Sequence, residues 1–432
     1  MQNDSVQLDG IIKSLGIEPL PRCWSSSWEA SQSTYPGHGN IFFLKNEYLS
    51  EMNGFLGFPS DLVQVFLKTY EIINNSPYLS RFAWHCHYLL FQGTESVKEC
   101  VDTWPSLEKT MGGYTAMFPA VICISGLPEL AAYYEEKSIP HKVFIDTVSD
   151  VRICMEDYRD KHGSWGLELL FWLINHFSGR LYQLGRLQFM YGEFKGDIHV
   201  FKHIITGQVI ALANDGVIFR ADGLVDGTNG IHDKYCSWMS SFRIDDGFIE
   251  GYPVLPQGCA LRKKVRLLHE EWKKVLSNGE PVMEVHISKS GKMEHELCRE
   301  SYSMAIDFFQ KYFNNKSFAA FDCNSWLSDP QFQKMLSLSS NIVKFQRDFY
   351  IYPVLYNDDE IFKYIFNGKP ADLSKAPRDT FLRRAVLDYM LAGGYMHSCG
   401  GFILKDDLAY GPGFYQNTDF ECLLGSLNCK QF

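Results

Sequence analysis

The sequence predicts an α+β protein: a helical first part, a run of antiparallel strands, and a closing strand–helix–strand arrangement. Three observations carry this. Up to about residue 177, apolar residues recur at helical spacing, as in SDLVQVFLKTYEII from Ser60 to Ile73. After Ser178-Gly179 the pattern shortens to alternating segments divided by Gly192, Gly196, Gly207 and the turn pair Asp215-Gly216. From Pro281 to Phe313, PVMEVHISKSGKMEHELCRESYSMAIDFFQKYF reads as a strand, a polar loop and an amphipathic helix.

In chain order, Ser60 and Asp61 are N-terminal capping candidates for the first clear helix. Helices are expected near Ser106 to Lys109 and from Pro128 to Lys137, where proline opens the first turn. Two more are expected at Asp146 to Asp160 and Trp165 to His176. LYQLGRLQFMYGEF, IHVFKHIIT and QVIALANDGVIFRADGL read as successive strands of an antiparallel meander. Leu261 to Leu276 reads as a basic helix, Ser317 to Trp326 as a strand, and Pro330 to Leu336 as a short helix. Asn341 to Leu355 reads as a strand region and Pro377 to Leu391 as a helix that stops at Gly393-Gly394.

At 432 residues the chain exceeds one ordinary core, so two domains are expected. The division is drawn as a helical domain 1–150, a mixed domain 151–405 and a loosely structured tail 406–432, with the boundary anywhere from about 140 to 180. A hydrophobic content of 46% with 15% aromatics excludes a disordered chain. A formal charge of −10 argues against a nucleic-acid surface. The start lacks a signal-peptide pattern, and the apolar runs Phe118 to Ile124 and Leu169 to Ile174 are short of the roughly 20 residues of a span. Twelve scattered cysteines without a C-x-x-C pair read as reduced thiols. A cytoplasmic protein that engages neither membrane nor nucleic acid is expected.

The candidate chemistry centres on Pro281 to Lys292. Alternation sends Met283, Val285 and Ile287 to one face of the strand and Glu284 and His286 to the other. A loop and a helix start follow at once, bringing free backbone N–H groups to the same end. An acyl or phosphate group could be held and attacked there. The bland alternative is a polar sheet edge or a buried hydrogen-bonded pair.

Several longer strings resemble a bacterial family of N-acyltransferases that join a helical N-terminal domain to a GNAT-like C-terminal domain. They are LYQLGRLQF (181–189), EVHI (284–287), FDCNSWLSDPQ (321–331) and SNIVKFQRDFYIYPV (340–354), extended by LRRAVLDYMLAGGY (382–395) and GGFIL (400–404). The resemblance implies a parallel pair of strands that splays apart, here EVHI and FAAFDCNSW, with acyl-CoA between them as co-substrate. Its pyrophosphate would lie on Ser288, Lys289, Ser290, Gly291 and Lys292. The family's loop carries the pattern Q/R-x-x-G-x-G/A, whereas SKSGKM has the single glycine Gly291, and Lys289 and Lys292 would offset this by charge.

In that setting Glu284 or His286 would be the general base for an amine attacking a thioester. Cys323 would be the acid for the leaving thiolate, or a nucleophile; its alternative is a buried apolar thiol. Ser325, Arg186, Gln188 and Gln346 are candidates for lining the pocket of a small-molecule acyl acceptor, against the alternative of a solvated sheet face. Lys344 shares the face of Gln346, and Arg347 lies opposite. The pairs His85/His87 and His199/His203 lack supporting ligands, so no metal is expected. No G-x-S-x-G elbow, Walker loop or strand-borne G-x-G-x-x-G occurs. The competing reading is a GNAT-like protein without chemistry that binds a small ligand or a partner.

Overall fold

In the computed structural model, residues 7–93, 97–357 and 359–429 are described. The chain divides into two compact units. One comprises the residues up to Leu184 together with Ser288–Ser290; the other comprises Gly185–Ile287 and Gly291 onward. The division therefore falls after Leu184 and not at 150, because the helices Asp150–His162 and Leu170–Phe177 pack within the first unit.

The first unit is helical. Its helix Pro77–Phe91 opens with Ser76 Oγ accepting from Leu79 N–H (3.2 Å) and proline in the first turn. Phe118–Ile124 is buried at every residue. Glu108–Glu136 has the length and composition to cross a membrane, but it breaks into short helices and 67% of its most apolar window is buried inside the protein. His85 and His87 are buried on the Pro77–Phe91 helix. His85 bonds Ser31 Oγ (2.8 Å) and the Trp24 carbonyl (2.7 Å), and His87 bonds Ser125 Oγ (2.8 Å). Burial pushes both imidazoles down to about 4, the neutral form that such partners suit.

The second unit is built on a sheet in which Leu187–Glu193, Pro281–His286, Ala320–Ser325, Cys399–Leu404 and Tyr350–Pro353 lie side by side in that order. Pro281–His286 and Ala320–Ser325 are parallel; the other pairings are antiparallel. Leu187–Glu193 thus joins the main sheet and not the meander expected for it. A separate antiparallel sheet contains Ile198–His203 and Val209–Ala213, with His199 stacked on Phe242 and His203 closing a turn.

Three local expectations are overturned. Leu261 to Leu276 holds the strands Val265–Leu268 and Trp272–Leu276, because Val265 and Leu267 are buried around an exposed Arg266, a period of two. Asn341–Gln346 is a helix, started by Ser340 Oγ accepting from Val343 N–H (3.2 Å), and the strand begins only at Tyr350. Residues 406–432 are not a loose tail as far as Cys429. Tyr415 is buried, accepts from Leu404 N–H (2.9 Å) and donates to Asp407 (2.9 Å), and a helix runs over Phe420–Cys429. The last three residues lie outside the described ones.

Candidate active site

The pairing of the two parallel strands ends midway. Val282 pairs with Ala320, Met283 with Phe321 and Glu284 with Asp322, and there the ladder stops although both strands continue. Beyond it, Val285 and His286 pair only with Phe189 and Gln188 on one side. Cys323, Asn324 and Ser325 pair only with Gly401, Gly400 and Cys399 on the other. Two strands that part in this way turn facing backbone edges toward a gap between them. Such edges are ready to receive an extended amide-bearing chain.

Two carboxyl groups stand at the vertex. Glu284 and Asp322 are paired across the last rung, so their side chains share a face. Gln188, His286, Asn324 and Tyr352 are on that face by register. Glu284 Oε2 lies 3.5 Å from His286 Nε2, and both side chains keep partial access to solvent. Asp322 is buried; its Oδ1 accepts from Tyr352 Oη (2.9 Å) and its Oδ2 from Asn324 Nδ2 (3.0 Å). Burial pushes the Asp322 carboxyl up to about 7, with the Tyr352 hydrogen bond working against the shift and the Glu284 charge working with it. Below that value Asp322 holds its proton, and Glu284 is the more accessible carboxyl of the two.

Glycines make room for both groups. A Cβ on Gly192 would come within 2.2 Å of Glu284 Oε1, so the carboxylate lies over a bare backbone. A Cβ on Gly400 would meet the Tyr352 ring at 2.2 Å. Gly400→Ala is therefore expected to push the ring off Asp322 and cost about 1–3 kcal/mol by urea unfolding. Tyr352→Phe, which removes only the hydroxyl, separates the lost hydrogen bond from the clash. A Gly400→Ala protein as stable as the parent would contradict this account.

Cys323 does not join this group. One residue along from Asp322, it faces the opposite side of the sheet, where Phe189, Phe321 and the helix residue Tyr302 form an aromatic core. It is 1% exposed and burial raises its thiol, which disfavours the thiolate a nucleophile needs. Neither proposed role of Cys323 fits this position. Gln346 is on a helix, not on the sheet face expected for it, is buried, and donates to the carbonyls of Leu327 (2.6 Å) and Asp329 (2.7 Å), bracing a turn. Ser325 Oγ accepts from Leu327 N–H (3.1 Å) and starts a short turn. Gln188 is buried beside His286.

The polar segment after Pro281–His286 falls in both units. Within the first, Ser288 Oγ accepts from Ser290 N–H (3.1 Å), and Lys289 is ion-paired with Asp157, so its charge is partly spoken for. Within the second, Gly291 has φ +120° and Lys292 is exposed. The helix His295–Tyr312 then starts from an extended Glu294 whose side chain makes no cap, and no hydrogen bond among the described residues engages its first N–H groups. Arg186 sits under this turn and bonds its carbonyls.

Asp322, Tyr352, Gly192 and Gly400 complete the site and were not among the sequence candidates. The available signal was an aspartate inside the apolar run FAAFDC at the same parity as Asn324. Among the described residues no cluster of three metal-ligating side chains occurs.

The model of a GNAT-like C-terminal domain matches residues 181–403, and that of an N-acyltransferase N-terminal domain matches residues 47–179. Comparison with curated protein sequences gave no match. Among solved structures, an acyltransferase in complex with decanoyl-CoA and teicoplanin is similar with a TM-score of 0.64 at 17% identity, over 92% of this chain and 99% of that one. An acyltransferase in complex with decanoyl-CoA gives 0.63 at 19%, over 92% and 99%. An acyltransferase mutant in complex with octanoyl-CoA gives 0.63 at 18%, over 92% and 98%. At these identities the likeness is one of fold.

Proposed function

The chain belongs to the family that joins an N-acyltransferase N-terminal domain to a GNAT-like C-terminal domain, and from that premise we propose that it transfers an acyl group from acyl-CoA to an amine of a small molecule. The observation that carries the reading is the parting of Pro281–His286 from Ala320–Ser325 immediately after the Glu284–Asp322 rung. A pantetheine arm is an extended chain with two amides, and the opened strand edges offer the complementary donors and acceptors. Octanoyl-CoA and decanoyl-CoA bound to the similar acyltransferases support a medium-chain donor, and teicoplanin in one of them supports a small-molecule acceptor. We place the reaction in the cytoplasm, where CoA thioesters are made and used.

The chemistry is a direct displacement. The amine nitrogen attacks the thioester carbonyl, the N–C bond forms and the C–S bond breaks. The nitrogen gives up one proton and the departing CoA thiolate gains one. Glu284, partly exposed and in contact with His286, accepts the proton from nitrogen. Cys323, facing the other side of the sheet, is no source for the thiolate's proton, which water supplies. Burial disfavours the charged form of Asp322, the second carboxyl of the pair, and leaves Glu284 as the more accessible base.

Titration with CoA, octanoyl-CoA and decanoyl-CoA, read as thermal stability, tests the donor. A ligand at about 100 times its dissociation constant stabilises the native state by about 2.7 kcal/mol. A rise in melting temperature with the acyl-CoAs, and thiol release once an amine is added, is the expected result. No shift at millimolar CoA would favour the other reading, a GNAT-like protein that binds a ligand without acyl transfer.

A further inference from the structure

We propose that Arg186, which lies in a hairpin turn on the edge of the main sheet, is the positioning residue that shapes the acyl-CoA phosphate site. Its Nε donates to the Lys292 carbonyl (3.0 Å) and its Nη2 to the Gly291 carbonyl (2.9 Å). Its own backbone N–H donates to Ser301 Oγ (2.8 Å), two turns into the helix that the segment leads into. Gly185 beside it must be glycine, since φ is +68° and a Cβ would lie 2.8 Å from the same Ser301 Oγ. The backbone of Arg186 is thus fixed by the helix, while its guanidinium grips two successive carbonyls.

That grip fixes which way the N–H groups point. All peptide bonds here are trans, so each C=O and the N–H of the next residue lie antiparallel in one plane. With the carbonyls of Gly291 and Lys292 turned toward Arg186, the N–H groups of Lys292 and Met293 are turned away from it. No hydrogen bond among the described residues engages the N–H of Gly291, Lys292 or Met293. These outward donors run into the uncapped start of His295–Tyr312. One arginine holding two carbonyls thereby builds the anion-binding concavity that a glycine-rich loop would otherwise provide. A segment with a single glycine at 291 can then serve.

The charge supports the same role independently. Arg186 is 8% exposed, no carboxylate among the described residues pairs with it, and its Nη1 is buried without an acceptor. An uncompensated buried cation is costly to the free protein and favours an anion bound nearby. Ser301, Gly185 and the two carbonyls account for its geometry, but none offsets its charge.

This inference rests on the acyl-CoA reading, and its test keeps the two apart. The parent and Arg186→Lys are compared with octanoyl-CoA and with S-octanoyl-pantetheine, a donor of the same thioester without the pyrophosphate. Lysine keeps the charge but lacks the planar fork that holds two carbonyls. The expected result is a KM for octanoyl-CoA raised about tenfold, with kcat at saturation and the acceptor KM unchanged, and equal kcat/KM on the truncated donor. Inorganic pyrophosphate should compete with octanoyl-CoA in the parent and lose that competition in the variant. Equal losses on both donors, or no loss on either, would overturn the role of Arg186 while leaving acyl transfer standing. Should Arg186→Lys not fold, Arg186→Gln, with one planar amide donor left, gives the same comparison. A parent that neither binds CoA nor releases thiol from either donor removes both the reading and the inference.

Discussion

Replacing Glu284 with glutamine should lower kcat for acyl transfer by about 10²–10⁴-fold, the range associated with losing a general base. The KM for acyl-CoA should change little. The substitution is nearly isosteric, and the side chain is 25% exposed and lies over the bare backbone of Gly192, so the melting temperature should stay near that of the parent. His286→Asn, 3.5 Å from the same carboxylate, should cost less if the imidazole only orients Glu284. The reverse order of losses would transfer the base to His286. Cys323→Ala is the informative control. Its thiol faces the aromatic side of the sheet, so activity should hold while stability falls by the small cost of a vacated methyl-sized space. If Glu284→Gln and His286→Asn both retained activity within about threefold, proton transfer at the strand vertex would be wrong.

The contrast between Glu284 and Cys323 also shows how far a sequence can be read here. Alternation within one strand is local, so the shared face of Glu284 and His286 was legible. Which face of the neighbouring strand meets them was not, because it depends on register between residues 38 apart, such as Glu284 and Asp322. Shifting that register by one residue would have put Cys323 beside Glu284; the actual pairing puts Asp322 there. The helix Asn341–Gln346 misled for another reason. NIVKFQ is rich in branched and aromatic residues that fit a strand, and what marks the helix is the cap from Ser340 and the burial of Val343 with Gln346 three residues on. Gln346 was accordingly placed on a sheet face it does not have. Arg186 was legible as a polar residue in an apolar strand, although it lies in the turn between Leu181–Leu184 and Leu187–Glu193. Its purpose was not, because its partners are carbonyls about 105 residues away, and a carbonyl is the same in every residue.

Asp322→Asn should make the protein more stable than the parent at pH 8 and give no such advantage at pH 4. In the folded protein burial raises the Asp322 carboxyl to about 7, with Tyr352 opposing and Glu284 adding to the shift, whereas in the unfolded chain it titrates near 3.8. Between those values the folded state holds the proton and the unfolded state does not. Stability must therefore fall as pH rises through this window, by about 1.4 kcal/mol per unit, and level off above it. From 3.8 to about 7 the full difference is on the order of 4 kcal/mol. Asparagine never ionises, so its protein escapes that fall; it can keep both neighbours if the Asn324 amide turns to present its oxygen. Asp329, also buried and raised to about 7, imposes a similar slope on parent and variant alike and cancels in the difference. Urea unfolding of both proteins at pH 4, 6 and 8 measures it. A difference that stays flat across the three would mean that Asp322 ionises normally in the folded protein.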